Sequence, residues 1–291
     1  MISPQTWLRT EGLQANKALG QNFLKHPTVA RSIVEKSGIG SDDIVVEIGP
    51  GLGSLTFPLA EAARRVVAVE KDAGIAAALA RRLAESGVSN VILHTADILR
   101  CDWEEIIDEA THGEGSNQVV IFGNLPYNIS SPIVVRLVEH RSRIDRAVLM
   151  FQKELADRLR AKPGGREYGR LTVLLAFCAT VTPILSVSAD SFYPRPKVDS
   201  EVVDIRFPKP EPYPVSDEAA LVRVVRAAFG NRRKTLKNSL TAGLPGWDGK
   251  WIEALLFRTG IDPLRRAETL DIMEFIRLSE AVSEKTSEIQ R

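Results

Sequence analysis

The chain has 291 residues, 44% of them apolar and 26% charged, with 38 Lys and Arg against 37 Asp and Glu. That composition excludes the disordered and fibrous classes, and the length suffices for one large domain or for a large and a small one. Two cysteines, Cys101 and Cys178, in no C-x-x-C pair, exclude a disulfide scaffold and a zinc ribbon.

Residues 44–48, 66–70, 91–95, 118–122 and 146–151 are short runs rich in β-branched residues, separated by helical stretches such as 73–84 and 103–110. Near-continuous apolar strands alternating with helices predict a parallel sheet covered on both faces. Past residue 151 a basic, glycine-containing loop at 160–169 leads into an apolar helix at 170–179. Strands at 183–187 and 201–207 follow, split by the proline-rich 192–196; so short a connection predicts an antiparallel pair. Pro208, Pro210, Pro212 and Pro214 mark a linker, and helices are expected at 217–229, 234–242, 250–258 and 268–286, which places a domain boundary near 208. The longest apolar stretch, 171–181, is too short to span a bilayer, and the first sixteen residues lack a signal-peptide core. A cytoplasmic protein is expected.

Charge is unevenly spread. Residues 141–170 carry nine basic and four acidic side chains, and 221–240 hold Arg223, Arg226, Arg232, Arg233, Lys234 and Lys237 with no carboxylate. Residues 101–120 hold six carboxylates and no Lys or Arg. Two basic segments are the footprint of a polyanion partner; solvated helix faces are the alternative.

Four constellations carry chemistry. Glu47-Ile48-Gly49-Pro50-Gly51-Leu52-Gly53 follows the first long strand, where glycines permit a tight turn and a close ligand approach at the carboxyl edge of a sheet. Its G-x-G-x-G spacing departs from the G-x-G-x-x-G of dinucleotide folds. Glu70 ends the next strand, where a carboxylate accepts the ribose hydroxyls of an adenosine; this leaves NAD and S-adenosylmethionine both open. Asp97, after the third strand, suits an exocyclic adenine amine, with Ile98 against the ring, while Asp102 better suits the cap of the following helix. Asn124-Leu125-Pro126-Tyr127 ends the fourth strand. A carboxamide oxygen and a peptide carbonyl can each accept one N–H of an aromatic amine and so expose its lone pair. Pro126 holds Leu125 extended, and Tyr127 offers a face for an unstacked base.

Together with Gln21-Asn22-Phe23-Leu24, Ser191-Phe192-Tyr193-Pro194-Arg195-Pro196-Lys197-Val198 and the late Gly260-Ile261-Asp262-Pro263, these motifs resemble the ribosomal RNA adenine N6-dimethyltransferases, most of all the bacterial enzymes of 16S rRNA. The resemblance runs from about residue 18 to 270. It implies an α/β fold, a Rossmann-like class I methyltransferase sheet with antiparallel final strands, plus a small all-helical C-terminal domain. Residues 1–207 would bind S-adenosylmethionine and catalyse; 208–291 would hold ribosomal RNA. Asn22, Leu24, Gly49 and Gly51 would contact the donor, Glu70 its ribose, Asp97 its adenine amine, and Asn124 both donor and target amine. Tyr127 and Phe192 would sandwich the target base. The implied reaction is N6-dimethylation of two adjacent adenosines in the 3′-terminal hairpin loop of 16S rRNA, within the 30S subunit during ribosome biogenesis. A monomer, without metal or membrane, is expected.

The loop 160–169 is expected as a mobile cover, with Lys162, Arg166 and Arg170 reaching phosphates. His26, His94, His112 and His140 lack metal-ligand spacing, both cysteines read as packing residues, and Trp7, Trp103, Trp247 and Trp251 read as packing aromatics. Two alternatives remain: an adenine N6-methyltransferase of 23S rRNA or DNA, and a non-catalytic ribosome-assembly or transcription factor of the same fold.

Overall fold

The β-branched runs form the parallel part of a seven-stranded sheet in the computed structural model of the protein, which describes residues 3–112 and 119–289. Glu114 of the acidic segment, Gln118 at the start of the fourth expected strand, and residues 1, 2, 290 and 291 of the two expected domains lie outside the described residues. The strands are β1 (Phe23–Leu24), β2 (Ile44–Ile48), β3 (Arg65–Glu70), β4 (Val91–Thr95), β5 (Val119–Asn124), β6 (Ile144–Gln152), β7 (Thr180–Val187), β8 (Phe192–Tyr193) and β9 (Ser200–Arg206). Their order in the large sheet is β4-β3-β2-β5-β6-β9-β7. β4 to β6 run parallel, while β9 is antiparallel to both β6 and β7. β1 and β8 form a separate two-stranded antiparallel pair, which no periodicity announces because each strand has only two residues.

The helices of the first part are α1 (Pro4–Thr10), α2 (Pro27–Ser37), α3 (Thr56–Ala62), α4 (Ala73–Glu85), α5 (Trp103–Thr111), α6 (Ser130–Glu139) and α7 (Lys153–Leu159). Val45, Val66, Val120, Phe122, Val148 and Met150 pack against Ile33 and Val34 of α2 and Leu59 of α3. The alternate residues Val46, Val67, Ile121 and Leu149 are equally buried, so both faces of the sheet are covered. Asp72 caps α4 through the N–H groups of Gly74 and Ile75, and Asp102 caps α5 through Glu104.

The remaining helices are α8 (Arg170–Ala176), α9 (Glu218–Ala228), α10 (Leu236–Gly243), α11 (Gly249–Arg258) and α12 (Ile272–Ile289). The chain divides into two compact units, Met1–Ala156 with Thr180–Phe207, and Asp157–Ala179 with Pro208–Arg291. The division at 208 falls on the proline linker. Residues 157–179 group with the second unit because α8 packs its apolar side against α9. Two helices differ from their sequence reading. α8 stops at Ala176 because the chain turns into β7 at Thr180, and α12 starts only at Ile272, after a 3-10 turn at Ala267–Thr269. Asp271 and Glu274 fix that start reciprocally, each carboxylate accepting the other's backbone N–H.

In the first unit a buried guanidinium ties three elements together. Arg146 of β6 is 6% exposed and donates to the Ser37 carbonyl at 2.6 Å, with Asp204 of β9 at 3.5 Å. Arg146→Ala leaves the Ser37 carbonyl without its donor beside a cavity, while Asp204 keeps Arg206 Nε at 2.8 Å, and is expected to cost about 1–3 kcal/mol of unfolding free energy in a urea titration. A loss below about 1 kcal/mol would contradict this tie.

Candidate functional site

In the large sheet the chain passes outward from β2 to β3 and β4, then returns to β5 on the other side of β2. That reversal opens a crevice at the carboxyl ends of β2 and β5, the position at which open α/β sheets bind ligands. One cavity there is lined by Asn22, Leu24, Gly49, Gly51, Glu70, Asp97, Asn124 and Tyr127. Eight residues singled out in sequence thus converge from five segments.

The glycine turn explains its own composition. Gly49, Gly51 and Gly53 have φ of 68°, 54° and 80°, a left-handed conformation that disfavours any side chain. A Cβ on Gly49 would meet nothing within 4 Å, so its bare backbone faces the cavity. A Cβ on Gly53 would stand 2.7 Å from Leu79 of α4, so that glycine serves helix packing. Gly51 N–H donates to Glu70 Oε2 at 3.0 Å, and Asp72 N–H donates to Glu70 Oε1 at 2.9 Å. Glu70 therefore pins the turn to β3 and keeps lone pairs on both oxygens for a ligand. Burial raises its carboxyl above the usual carboxylate range, against the opposing pull of those two N–H groups.

Asp97 is held differently. Lys71 Nζ lies 2.9 Å from its Oδ2, and Leu99 N–H donates to its Oδ1 at 3.1 Å. The hydrogen bond from Lys71 keeps this carboxyl below its ordinary value, so Asp97 is an acceptor throughout the neutral range. Asn124 Nδ2 donates to the Asn22 carbonyl at 2.9 Å, and Asn22 Nδ2 donates to the Gly20 carbonyl at 3.0 Å. One N–H of the Asn124 amide is thereby used, which turns the nitrogen towards Asn22 and leaves the oxygen on the other side as an acceptor. Leu125 N–H donates to the Met150 carbonyl at 3.3 Å, which fixes the strand end from which Pro126 and Tyr127 leave. Burial pushes the Tyr127 hydroxyl up, with Ser200 and Gln152 hydrogen-bonding it in opposition.

Phe192 stands apart and corrects the expectation of an exposed stacking face. It is 2% exposed, is absent from the cavity lining, and packs in the core with Leu24 and Val187. In the β1–β8 pair Leu24 opposes Phe192 and Phe23 opposes Tyr193. Alternation sends Phe192 inward and leaves Tyr193, half-buried, packed near Phe23 and Leu52 on the other side. Phe192 supports the cavity wall from behind Leu24.

Two residues of the site escaped the sequence reading. Lys71 gave no signal of its own, since its partner lies beyond the next strand. Glu47 did give one: a lone carboxylate inside the apolar run Ile44–Ile48. It is 1% exposed, lines the cavity, and its Oε2 has no hydrogen-bond partner. Burial pushes its carboxyl up to about 8, with the charge of Glu70 adding to the effect.

The loop at 160–169 is tied to its own unit. Gly164 N–H donates to the Glu268 carbonyl at 2.7 Å, and Arg232 donates to the carbonyls of Arg166 and Tyr168. Among the described residues no helix is long and apolar enough to cross a membrane, and no group of three or more His, Cys, Asp or Glu is placed to hold a metal ion.

Comparison with known proteins gives one consistent set of likenesses. The model of the ribosomal RNA adenine dimethylase family matches residues 12–282. A ribosomal RNA small subunit methyltransferase A of Desulforapulum autotrophicum is 48% identical over 282 residues, 97% of each chain. The protein of the same name from Geobacillus kaustophilus is 42% identical over 278 residues, 95% of this chain and 94% of that one. Among solved structures, a dimethyladenosine transferase from Plasmodium falciparum superposes with a TM-score of 0.74 at 27% identity, covering 91% of this chain and 98% of its own. The 23S rRNA methyltransferase ErmE superposes with a TM-score of 0.61 at 28% identity, covering 90% of this chain and 99% of its own.

Glu47 makes stability pH-dependent in a defined window. Its carboxyl titrates near 4.5 when unfolded and near 8 when folded. Its contribution is complete below 4.5, falls as pH rises towards 8, and is level beyond. Glu47→Gln removes this decline, so denaturation at pH 5 and pH 8 should show the variant gaining on the wild type by on the order of 1 kcal/mol per pH unit. Parallel pH profiles would contradict a neutral, buried Glu47.

Proposed function

Since the chain belongs to the ribosomal RNA adenine dimethylase family, we propose that it carries two methyl groups from S-adenosylmethionine to N6 of each of two adjacent adenosines in the 3′-terminal hairpin loop of 16S rRNA. The substrate is the 30S subunit during ribosome biogenesis, in the cytoplasm, and the enzyme acts as a monomer without a metal. The single observation that carries the reading is the oriented Asn124 amide, which leaves a carboxamide oxygen at the rim of a cavity fitted for an adenosine. The small-subunit name of two close relatives favours 16S rRNA. The paired adenosines follow from the likeness of the motifs.

The cavity fits this donor. Glu70 keeps lone pairs for ribose hydroxyls, Asp97 is an ionised acceptor for the adenine amine, and the bare Gly49 backbone, with Gly51 beside it in the lining, admits the methionine end next to Asn22 and Leu24. The buried Glu47 Oε2 has no hydrogen-bond partner and is open to a polar group of the donor. When bound, the donor supplies a methyl group already activated by its sulfonium.

The chain's own residues then hold the acceptor. Asn124 Oδ1 and the Leu125 carbonyl each accept one N–H of the target amine, which frees the nitrogen lone pair from the ring. As positive charge develops on that nitrogen, the same two oxygens stabilise it without reorganising. Tyr127 gives the extruded base a ring to lie on, offsetting about 1–3 kcal/mol of lost stacking. Alignment does the rest: the N–C bond would form as the sulfonium–methyl bond breaks, the demethylated thioether would leave, and the acidified N–H would lose its proton to solvent, so no dedicated base is needed. The first unit houses this chemistry, and the second unit, with its basic helices, holds the ribosomal RNA.

The likeness to ErmE keeps 23S rRNA in play as a second reading. Labelled methyl transfer to unmethylated 30S subunits, 50S subunits and DNA separates the readings: label on 30S alone is expected. Label on 50S or DNA alone, or on nothing despite tight 30S binding, would overturn the assignment. Asn124→Ala should lower turnover on 30S about 100- to 1,000-fold while leaving 30S affinity within about threefold. Equal losses in both would contradict its role at the reacting amine.

A further inference from the structure

The second unit holds a cleft of about 810 Å³ that nothing above uses. Arg223 and Arg226 project into it from α9, three residues apart and so on one face of that helix, and Arg170 reaches it from the start of α8. All three side chains are exposed, and no carboxylate lines the cleft among the described residues. A solvated face of one helix would not do this, because the three guanidinium groups come from two separate helices and converge on a concavity. A concave surface with one sign of charge focuses its potential on an anion.

Besides Asn231 and Thr286, the rest of the lining is mainly apolar. Trp247 is half-buried, braced by Trp251 with ring centroids 3.9 Å apart, and its backbone N–H donates to the Leu244 carbonyl at 3.3 Å. Phe229 stacks on Phe275 at 5.8 Å. A Cβ on Gly243 would lie 2.6 Å from Ala227, so the backbones of α9 and α10 meet directly where the cleft closes. Trp247 is therefore more than the packing aromatic expected from sequence: it lines the same cleft as the three arginines. A bare phosphate would make no use of that ring, and an acidic peptide need bring no flat group to it.

We infer that this cleft is a second RNA-binding site, which takes one unpaired nucleotide with its phosphates against Arg170, Arg223 and Arg226 and its base against Trp247. The inference rests on the reading that the substrate is ribosomal RNA. The site belongs to the helical unit alone and grips the RNA independently of the methyl-transfer cavity.

The test uses the full chain and labelled octauridylate as the probe, with binding followed by fluorescence anisotropy over a range of salt. Arg223→Gln with Arg226→Gln should weaken binding about tenfold or more and flatten the slope of log affinity against log salt by about 1.4, which is about 0.7 for each phosphate no longer neutralised. Trp247→Leu should weaken binding about five- to a hundredfold, and Trp247→Phe should restore most of it. On unmethylated 30S subunits the Arg pair should raise KM more than it lowers turnover. Unchanged affinity and slope in the Arg pair, or polyglutamate displacing the RNA as well as unlabelled octauridylate does, would overturn the proposal. The two readings fail separately. A wild type that binds octauridylate through these residues but methylates no subunit sinks the proposed reaction and keeps the cleft. A wild type that methylates 30S, with octauridylate binding untouched in all three variants, does the reverse.

Discussion

The hydrogen bond from Asn124 Nδ2 to the Asn22 carbonyl is the constraint on which the site depends. A carboxamide is chemically two-ended, and left to itself it offers either a donor or an acceptor to whatever enters the cavity. Here the donor end is turned to a backbone oxygen 102 residues away in sequence. Asn22 is in turn held by Gly20, whose own left-handed conformation shapes the segment before β1. The β1–β8 pair anchors that segment, and Phe192 fills the core behind it. The orientation of a single oxygen is thus enforced by a long-range fold contact, which is why the amino-terminal segment belongs to the active unit.

The same economy governs the carboxylates. Glu70 accepts from the glycine turn and from Asp72, so it organises the backbone before any ligand arrives. Asp97, paired with Lys71, stays ionised, whereas Glu47, buried without a charged partner, is pushed towards neutrality. Glu47 and Asp97 therefore carry different charge at neutral pH in one cavity, because desolvation dominates for Glu47 and a lysine hydrogen bond dominates for Asp97. A cavity with three full negative charges and one lysine would be costly to keep closed.

Much of this was legible in the sequence, and the reasons are physical. β2, β3, β5 and β6 are buried on both faces and so read as apolar, largely β-branched runs, while the edge strand β4 is only partly buried; sheet order then brings their carboxyl ends together. The glycine turn, Glu70, Asp97 and Asn124 all sit at strand ends, and that position is what made them readable. The failures involve contacts between residues far apart in the chain. A two-residue strand such as Phe192–Tyr193 has no period, so its alternation, which turns Phe192 inward, shows only once Phe23–Leu24 lies beside it. Lys71 is an ordinary surface lysine until β4 delivers Asp97. The helix 170–179 looked like part of the first domain because linear order cannot reveal that α8 packs on α9. Trp247 could be judged only after Arg170, Arg223 and Arg226 were seen around the same cleft.

If Asn124 turns its oxygen towards the place where the methyl group leaves the donor, a crystal structure of the full chain with S-adenosylmethionine will show it. The ribose is expected on Glu70, the adenine amine on Asp97, and the methyl group in the space between Asn124 Oδ1 and the Tyr127 ring. A donor seated elsewhere, or one whose methyl group faces away from Asn124, would contradict it.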